Sequence, residues 1–291
     1  MPELPFWKLE SIGNDFVLVR LADTADLDLA DLAVIVCDRH HGVGSDGLLT
    51  VEPVGPAQIR MRMFNPDGTE DFCGNGLRCA AHFGWLHMGL EGDQIEIEHG
   101  GQWIRAERSA DGAVSTWLGP ATYQPDRVPT DLPNELFRKS VEIDGETLTL
   151  SALSTGSTHT VVEVEELPGS PRFERLSEAI ERHPIFPRRT SVIWTHRRSP
   201  EHLKIRIWER GVGETQGCGT GSSAAAAHWM RVEGRGLEVR VENPGGEVKV
   251  RADGWQEMLQ ITGIPRLMFD GVLNEAVLEQ ARAEVRVPRP E

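Results

Sequence analysis

The alternation of apolar and polar positions divides the chain into short strands and a few helices, in an order that occurs twice. Residues 7–19, WKLESIGNDFVLV, and 150–162, LSALSTGSTHTVV, each read as a strand-like run, a Gly-polar turn and a second run. Helical apolar spacing with polar flanks follows in each half, over 27–37 and 173–182. Next come QIRMRMFN at 58–65 and HLKIRIWE at 202–209, which alternate apolar and basic residues with period two, as on a half-buried sheet. Each leads through a Gly-rich loop to a cysteine, then to an Ala-rich segment that predicts a buried helix. The stretches 94–119 and 236–263 each predict three short strands joined by Gly-containing turns. The last periodic stretch, 271–285, predicts a C-terminal helix packed across one half or against a partner.

The spacing of these landmarks is nearly constant. Gly13 and Gly156 lie 143 residues apart, and Cys73 and Cys218 lie 145 apart. Five matched segments at one offset predict an internal duplication: an α+β fold of two pseudo-symmetric halves. The first half, residues 1–125, carries Cys73. The second, 126–291, carries Cys218 and the C-terminal helix, and Pro125, Pro129 and Pro133 mark the join.

Composition narrows the classes. A formal charge of −15 over 291 residues argues against nucleic acid and anionic membrane surfaces as partners. It leaves a small anionic substrate open, because local N–H groups or one arginine can dominate a site. No run approaches the roughly 18 apolar residues of a membrane-spanning helix. The opening MPELPFWKLE has no basic region followed by an apolar core, so no signal peptide is expected. Four cysteines, Cys37, Cys73, Cys79 and Cys218, are too few for a disulfide scaffold, and the expectation is a reduced, cytoplasmic protein.

The chemistry centres on FCGNGLRCAAH at 72–82 and GCGTGSSAAAAH at 217–228. A cysteine just before a helix meets backbone N–H groups that lack intrahelical partners, and the positive helix end favours its thiolate. The same N–H groups can hold a carboxylate or a developing oxyanion, and the glycines let a ligand approach the backbone. A lone cysteine before Gly-X-Gly is more often a packed small hydrophobe. Its recurrence in both halves, amid much variation, reverses that preference for Cys73 and Cys218. Cys37 and Cys79 lie in apolar helical contexts and read as core.

Two thiols on opposite faces of one carbon suit inversion of a stereocentre. One thiolate removes the α-proton, the carboxylate takes up charge in an enolate-like state, and the other thiol returns a proton. No step of that scheme requires a metal, a nicotinamide or pyridoxal phosphate, so no cofactor is expected. Other motifs do not hold. GVGSDG at 42–47 matches G-x-G-x-x-G, but a helix precedes it and a strand follows, the reverse of a dinucleotide site. Asp38, His40 and His41 lack further ligands for a metal and read as a helix end and turn.

GNDFV at 13–17, DRHHGVGSDG at 38–47, FNPDGTE at 64–70, CGNGLRC at 73–79 and WERGVGETQGCGTG at 208–221 resemble signatures of the diaminopimelate epimerase family over nearly the whole chain. The resemblance implies halves that are each a mixed β-sheet or barrel wrapped around a central helix. It implies a cofactor-independent isomerase converting LL- to meso-diaminopimelate, with Cys73 and Cys218 as the proton donor and acceptor. His159 and Glu209 match auxiliary residues that assist the thiols or position substrate. Asn14, Asn65, Glu209 and Arg210 match substrate contacts, and Gly74, Asn75, Gly219 and Thr220 match the loops around the substrate carboxylate.

Two positions depart from the family pattern. Ser157 stands for an asparagine in Gly156-Ser157-Thr158-His159, and Ser191 for another after Phe186-Pro187. Both asparagines belong to the family's distal substrate pocket, so Ser157 and Ser191 are the expected substrate-binding replacements. A racemase of another α-amino acid, with a basic or imidazole side chain, is the runner-up. A non-catalytic amino-acid-binding or thiol-redox protein is the different-class alternative. A small-molecule amino-acid substrate is the expected partner, with a homodimer as the further option.

Overall fold

The protein is described from a computed structural model, in which residues 3–282 are defined. The chain forms β1 (Leu4–Ser11), β2 (Asn14–Arg20), α1 (Leu29–Cys37), β3 (Gly47–Gly55), β4 (Gln58–Phe64), α2 (Gly74–His87), β5 (Gln94–His99), β6 (Gln102–Arg108) and β7 (Val114–Leu118). Then come β8 (Lys139–Ile143), β9 (Glu146–Ser154), β10 (Thr158–Val164), α3 (Arg172–Glu181), β11 (Ser191–Ser199), β12 (His202–Glu209) and the short β13 (Gly213–Thr215). The described chain ends with α4 (Gly219–Glu233), β14 (Leu237–Asn243), β15 (Gly246–Ala252), β16 (Leu259–Gly263), β17 (Pro265–Leu273) and α5 (Glu275–Ala281). Two compact units result: one holds the residues up to Thr116 with those from Ile264 on, the other Trp117–Gly263.

In the first unit the strands pair in the order β17-β1-β2-β3-β4-β5-β6-β7. In the second the order is β8-β9-β10-β11-β12-β14-β15-β16, with β13 added beside β12. Both orders run antiparallel, antiparallel, parallel, antiparallel, parallel, antiparallel, antiparallel. The expected duplication is therefore present strand for strand. Each parallel step needs a crossover; α1 and α3 supply the first in their units, α2 and α4 the second. The matched β1–β2 and β9–β10 turns both carry a glycine in the left-handed region, Gly13 at φ 79° and Gly156 at φ 110°.

Continuous burial in β2 follows from helices on both faces of the sheet. Phe16 and Leu18 join Leu49, Met61, Leu77, Ala80 and Phe83 on the α2 side. Val17 and Val19 join Leu32, Ala33, Val36, Leu48 and Phe64 on the α1 side. α2 touches seven strands of its unit, β1 to β6 and β17, and α4 touches seven of its own, β9 to β12 and β14 to β16. Each is the central helix of its sheet. The Ala-rich sequence of α4 fits this place, because every residue from Gly219 to Met230 is buried and small side chains permit close strand contact.

Two boundaries differ from expectation: the first unit closes at Thr116 rather than at 125, and the chain returns to it at Ile264. The stretch beyond 263 was assigned to the second half, but β17 pairs with β1 from Leu4↔Leu273 to Ser11↔Pro265, and α5 packs on α1. The predicted 271–285 helix is correspondingly shorter: Val272 and Leu273 remain in the strand, and Asn274 caps α5 by accepting from Val277 N. Positions 283–285 of that prediction lie outside the described residues. Among the described residues no helix is long and apolar enough to cross a membrane.

Candidate active site

Cys73 and Cys218 are the N-caps of α2 and α4, with nearly identical extended backbones (φ −135°, ψ 106° and φ −136°, ψ 115°). Each Sγ accepts from the N–H three residues on, Gly76 N at 3.3 Å and Gly221 N at 3.2 Å. A sulfur at the N-cap takes the place of the usual Ser or Asp oxygen. The second glycine of each motif is sterically required. A Cβ on Gly221 would lie 2.7 Å from Ile193 Cδ1 and 3.2 Å from Cys218 Sγ, and one on Gly76 3.0 Å from Leu49 Cδ2. Gly74 faces open space.

The helix ends were expected to lower both thiol pKa values, and burial reverses that expectation. Burial pushes Cys73 up to about 11, against the opposing pull of the Gly76 and Asn75 N–H bonds and the Arg78 charge. Cys218 is raised well above its ordinary value by burial, then by the charge of Glu209 and a hydrogen bond to it. Both thiols are thus held neutral.

In the first unit, Asn14 and Asn75 are directly joined: Asn75 Nδ2 donates to Asn14 Oδ1 at 3.2 Å. Asn14 Nδ2 donates to Asp46 Oδ2 at 2.6 Å, which fixes the amide's orientation. Asp46 also accepts from Arg39 at 2.7 Å, and Asp15 pairs with both Arg39 and Lys8. Asn65 instead donates to Thr69 Oγ1 at 3.0 Å within its own turn. Arg78 and His99 carry further structure that the motif reading missed. Arg78 is fully buried and donates to Asn75 Oδ1 and, at 3.2 Å, to Ser11 Oγ. His99 Nε2 accepts from Cys73 N at 3.0 Å, and its Nδ1–H donates to Met61 O at 3.1 Å. An arginine in the first turns of a segment read as a buried helix was the sequence signal for Arg78.

In the second unit, Cys218 Sγ lies 3.3 Å from Thr220 Oγ1 and 3.9 Å from His159 Nε2. Ser157 Oγ donates to Thr220 Oγ1 at 3.3 Å. Ser191 donates to Glu209 Oε2 at 2.9 Å and accepts from Arg210 N at 3.1 Å. Both serines thus point their hydroxyls into the protein's own network. The Arg210 side chain is exposed, held at one end by Arg188 O at 3.3 Å. Sequence reasoning missed Glu181, a buried carboxylate at the end of α3. It accepts from Trp208 Nε1 at 2.7 Å and Gly211 N at 3.0 Å, so it clamps both sides of the Glu209–Arg210 turn. The turn reading of Asp38 holds, as its Oδ1 accepts from His40 N and His41 N, both at 2.7 Å.

Comparison with known proteins matches this arrangement to one family. The sequence model described as diaminopimelate epimerase matches residues 6–124 and 151–266. A diaminopimelate epimerase of Pseudomonas savastanoi pv. phaseolicola is 35% identical over 271 residues, covering 92% of this chain and 98% of that protein. One from Methanothermobacter thermautotrophicus is 33% identical over 280 residues, with the same coverage of 92% and 98%. Two solved structures share the fold. A hydroxyproline epimerase from Agrobacterium vitis has a TM-score of 0.66 at 13% identity, covering 94% of this chain and 91% of its own. A PhzF-family phenazine biosynthesis protein from Bacillus anthracis has a TM-score of 0.65 at 18% identity, covering 94% and 100%. With matches spanning both halves and both cysteine motifs, the chain belongs to the diaminopimelate epimerase family.

Proposed function

We propose that the protein is a cofactor-independent amino-acid epimerase that inverts one α-carbon of diaminopimelate, LL to meso. Cys73 and Cys218 act as the proton donor and acceptor pair. The observation that carries this reading is the repeated cap: a neutral thiol beside glycine-lined N–H groups, once in each duplicated unit. A neutral thiol is a proton donor, and a thiol that can be ionised by a nearby base is a proton acceptor. The N–H groups of Gly74, Asn75, Gly219 and Thr220 supply donors for the substrate carboxylate, where negative charge grows on proton removal. Glu209 offers an acceptor for an ammonium and Arg210 a fork for a second carboxylate. Asn14 and Asn65 complete the substrate contacts, and His159 assists the thiol chemistry.

A reading with another α-amino acid as substrate draws support from Ser157 and Ser191. Their hydroxyls are already bonded to Thr220 and to Glu209, which leaves less for a distal substrate group. Exchange in deuterated, reducing buffer over LL-diaminopimelate and a panel of L-amino acids decides between them. Deuterium at Cα and a new stereoisomer on chiral chromatography are expected with diaminopimelate, and Cys73→Ser should lower turnover by about 10²-fold or more. Exchange confined to another amino acid selects the second reading. No exchange on any of them makes the chain a binding or thiol-redox protein instead. The need for free thiols supports a reducing, cytoplasmic setting. Met268, Phe269 and Val272, each more than half exposed along β17, support a homodimer. Replacing Phe269 with arginine should then halve the mass found by light scattering.

A further inference from the structure

Thr220 stands between two groups that are far apart for direct proton transfer. Its Oγ1 lies 3.3 Å from Cys218 Sγ and 3.3 Å from His159 Nε2, whereas sulfur and imidazole are 3.9 Å apart. The hydrogens of this cluster are assigned by its neighbours. His159 Nδ1 lies 3.0 Å from Ser157 O, and a carbonyl only accepts, so Nδ1 carries the proton and Nε2 is the acceptor. Ser157 Oγ donates to Thr220 Oγ1 and fills one of its lone pairs. A hydroxyl has one hydrogen and two lone pairs. The Thr220 hydrogen therefore points to His159 Nε2, and its remaining lone pair faces Cys218 Sγ, whose single S–H has two acceptors within reach, Thr220 Oγ1 and the Glu209 carboxylate. The Thr220 backbone is held as well, since its carbonyl accepts from Thr155 Oγ1 at 3.0 Å.

We propose that the Thr220 hydroxyl is a proton relay that ionises Cys218 through His159. The Cys218 S–H proton passes to Thr220 Oγ1 as the Thr220 O–H proton passes to His159 Nε2. The hydroxyl is regenerated, and a neutral thiol and imidazole become a thiolate and an imidazolium. Delivery of a proton from Cys218 runs the same path in reverse. Ser157 serves this relay twice, orienting the hydroxyl with its side chain and the imidazole tautomer with its carbonyl. The matching position in the first unit, two residues after Cys73, is Asn75, whose amide is bonded to Asn14 and Arg78 instead. The charged groups acting on the cluster are Glu209, on both Cys218 and His159, and Arg210, on His159.

The inference rests on Cys218 as an acid/base group, so its test includes a readout that needs no turnover. Iodoacetamide alkylation of the Cys218 peptide, followed by mass spectrometry across pH, reports thiolate formation in the intact, substrate-free protein. Thr220→Ser keeps the hydroxyl and should keep the parent's Cys218 alkylation profile. Thr220→Val keeps the shape but removes the hydroxyl, and should slow Cys218 alkylation near neutral pH by about tenfold. In a His159→Gln background the same Thr220→Val change should have no further effect, because residues in one relay are non-additive. In Cα deuterium exchange, Thr220→Val should lower kcat with KM nearly kept. Equal alkylation profiles for Thr220→Val and Thr220→Ser would overturn the relay. So would a profile that responds only to Glu209→Gln, which would send the proton to Glu209. Normal relay behaviour in alkylation with no exchange on any amino acid would overturn the epimerase reading and leave the relay standing.

Discussion

Glu181 and Ser191 hold the same turn from opposite sides, and their substitutions separate positioning from proton transfer. Ser191→Ala removes the donor to Glu209 and the acceptor for Arg210 N, so kcat/KM should fall about tenfold, the cost of roughly one such hydrogen bond. Glu181→Gln keeps the shape but weakens the bonds to Trp208 and Gly211. It should raise KM more than it lowers kcat and reduce unfolding free energy by about 1–3 kcal/mol. Steady-state kinetics and urea unfolding check both, and an unchanged KM for Glu181→Gln would remove its positioning role. The two cysteines were legible in the sequence because each opens the same Gly-X-Gly helix start. Glu181 and His99 were not, because each meets its partner some 26 or 27 residues away and nothing in its local sequence marks the pairing.

At the level of elements, the paired helix starts make opposite demands on neighbouring glycines. Gly221→Ala would drive a methyl into Ile193 and against the Cys218 sulfur. The expected outcome is a displaced thiol, loss of most turnover and about 1–3 kcal/mol of stability. Gly74→Ala meets no atom within 4 Å, and should leave the unfolding free energy within about 0.5 kcal/mol of the parent. Calorimetry on the two variants tests the contrast. Strands such as β4, β5, β12 and β14 were readable from periodicity because each has a wetter and a drier face. One strand gives no such signal. β17 alternates poorly, with Met268, Phe269 and Asp270 all exposed in succession, so its strand character comes from pairing with β1 rather than from pattern.

For the whole molecule, burial of titratable side chains sets the pH limits of stability. His82, His99, His159 and His228 are all pushed below the ordinary 6.5 by burial. The unfolded chain therefore binds protons more readily, and this stabilisation is present above pH 6.5 and lost as pH falls through the lower folded values. Burial raises Cys37 and Cys73 from 9.0 to about 11, so their contribution is present below pH 9 and lost as pH rises through 11. Urea midpoints should be level between these limits and fall on both sides; a level profile from pH 5 to 11 would contradict the assignment. The twofold design was legible because the duplicated motifs keep their spacing. The true boundary was not, since nothing in the 264–273 sequence announces which sheet it joins.

That late strand bears on how the chain is made. Unit Trp117–Gly263 is one continuous stretch, and its edge strand β8 immediately precedes β9 in sequence. The first unit has the equivalent place filled by β17, which leaves the ribosome only after the whole second unit. During synthesis, then, the part that starts first is finished last, and β1 waits through some 250 residues for its partner. Vectorial translation thus makes the second unit the early folder and the Cys73 unit the one exposed to chaperones and proteases in the interval.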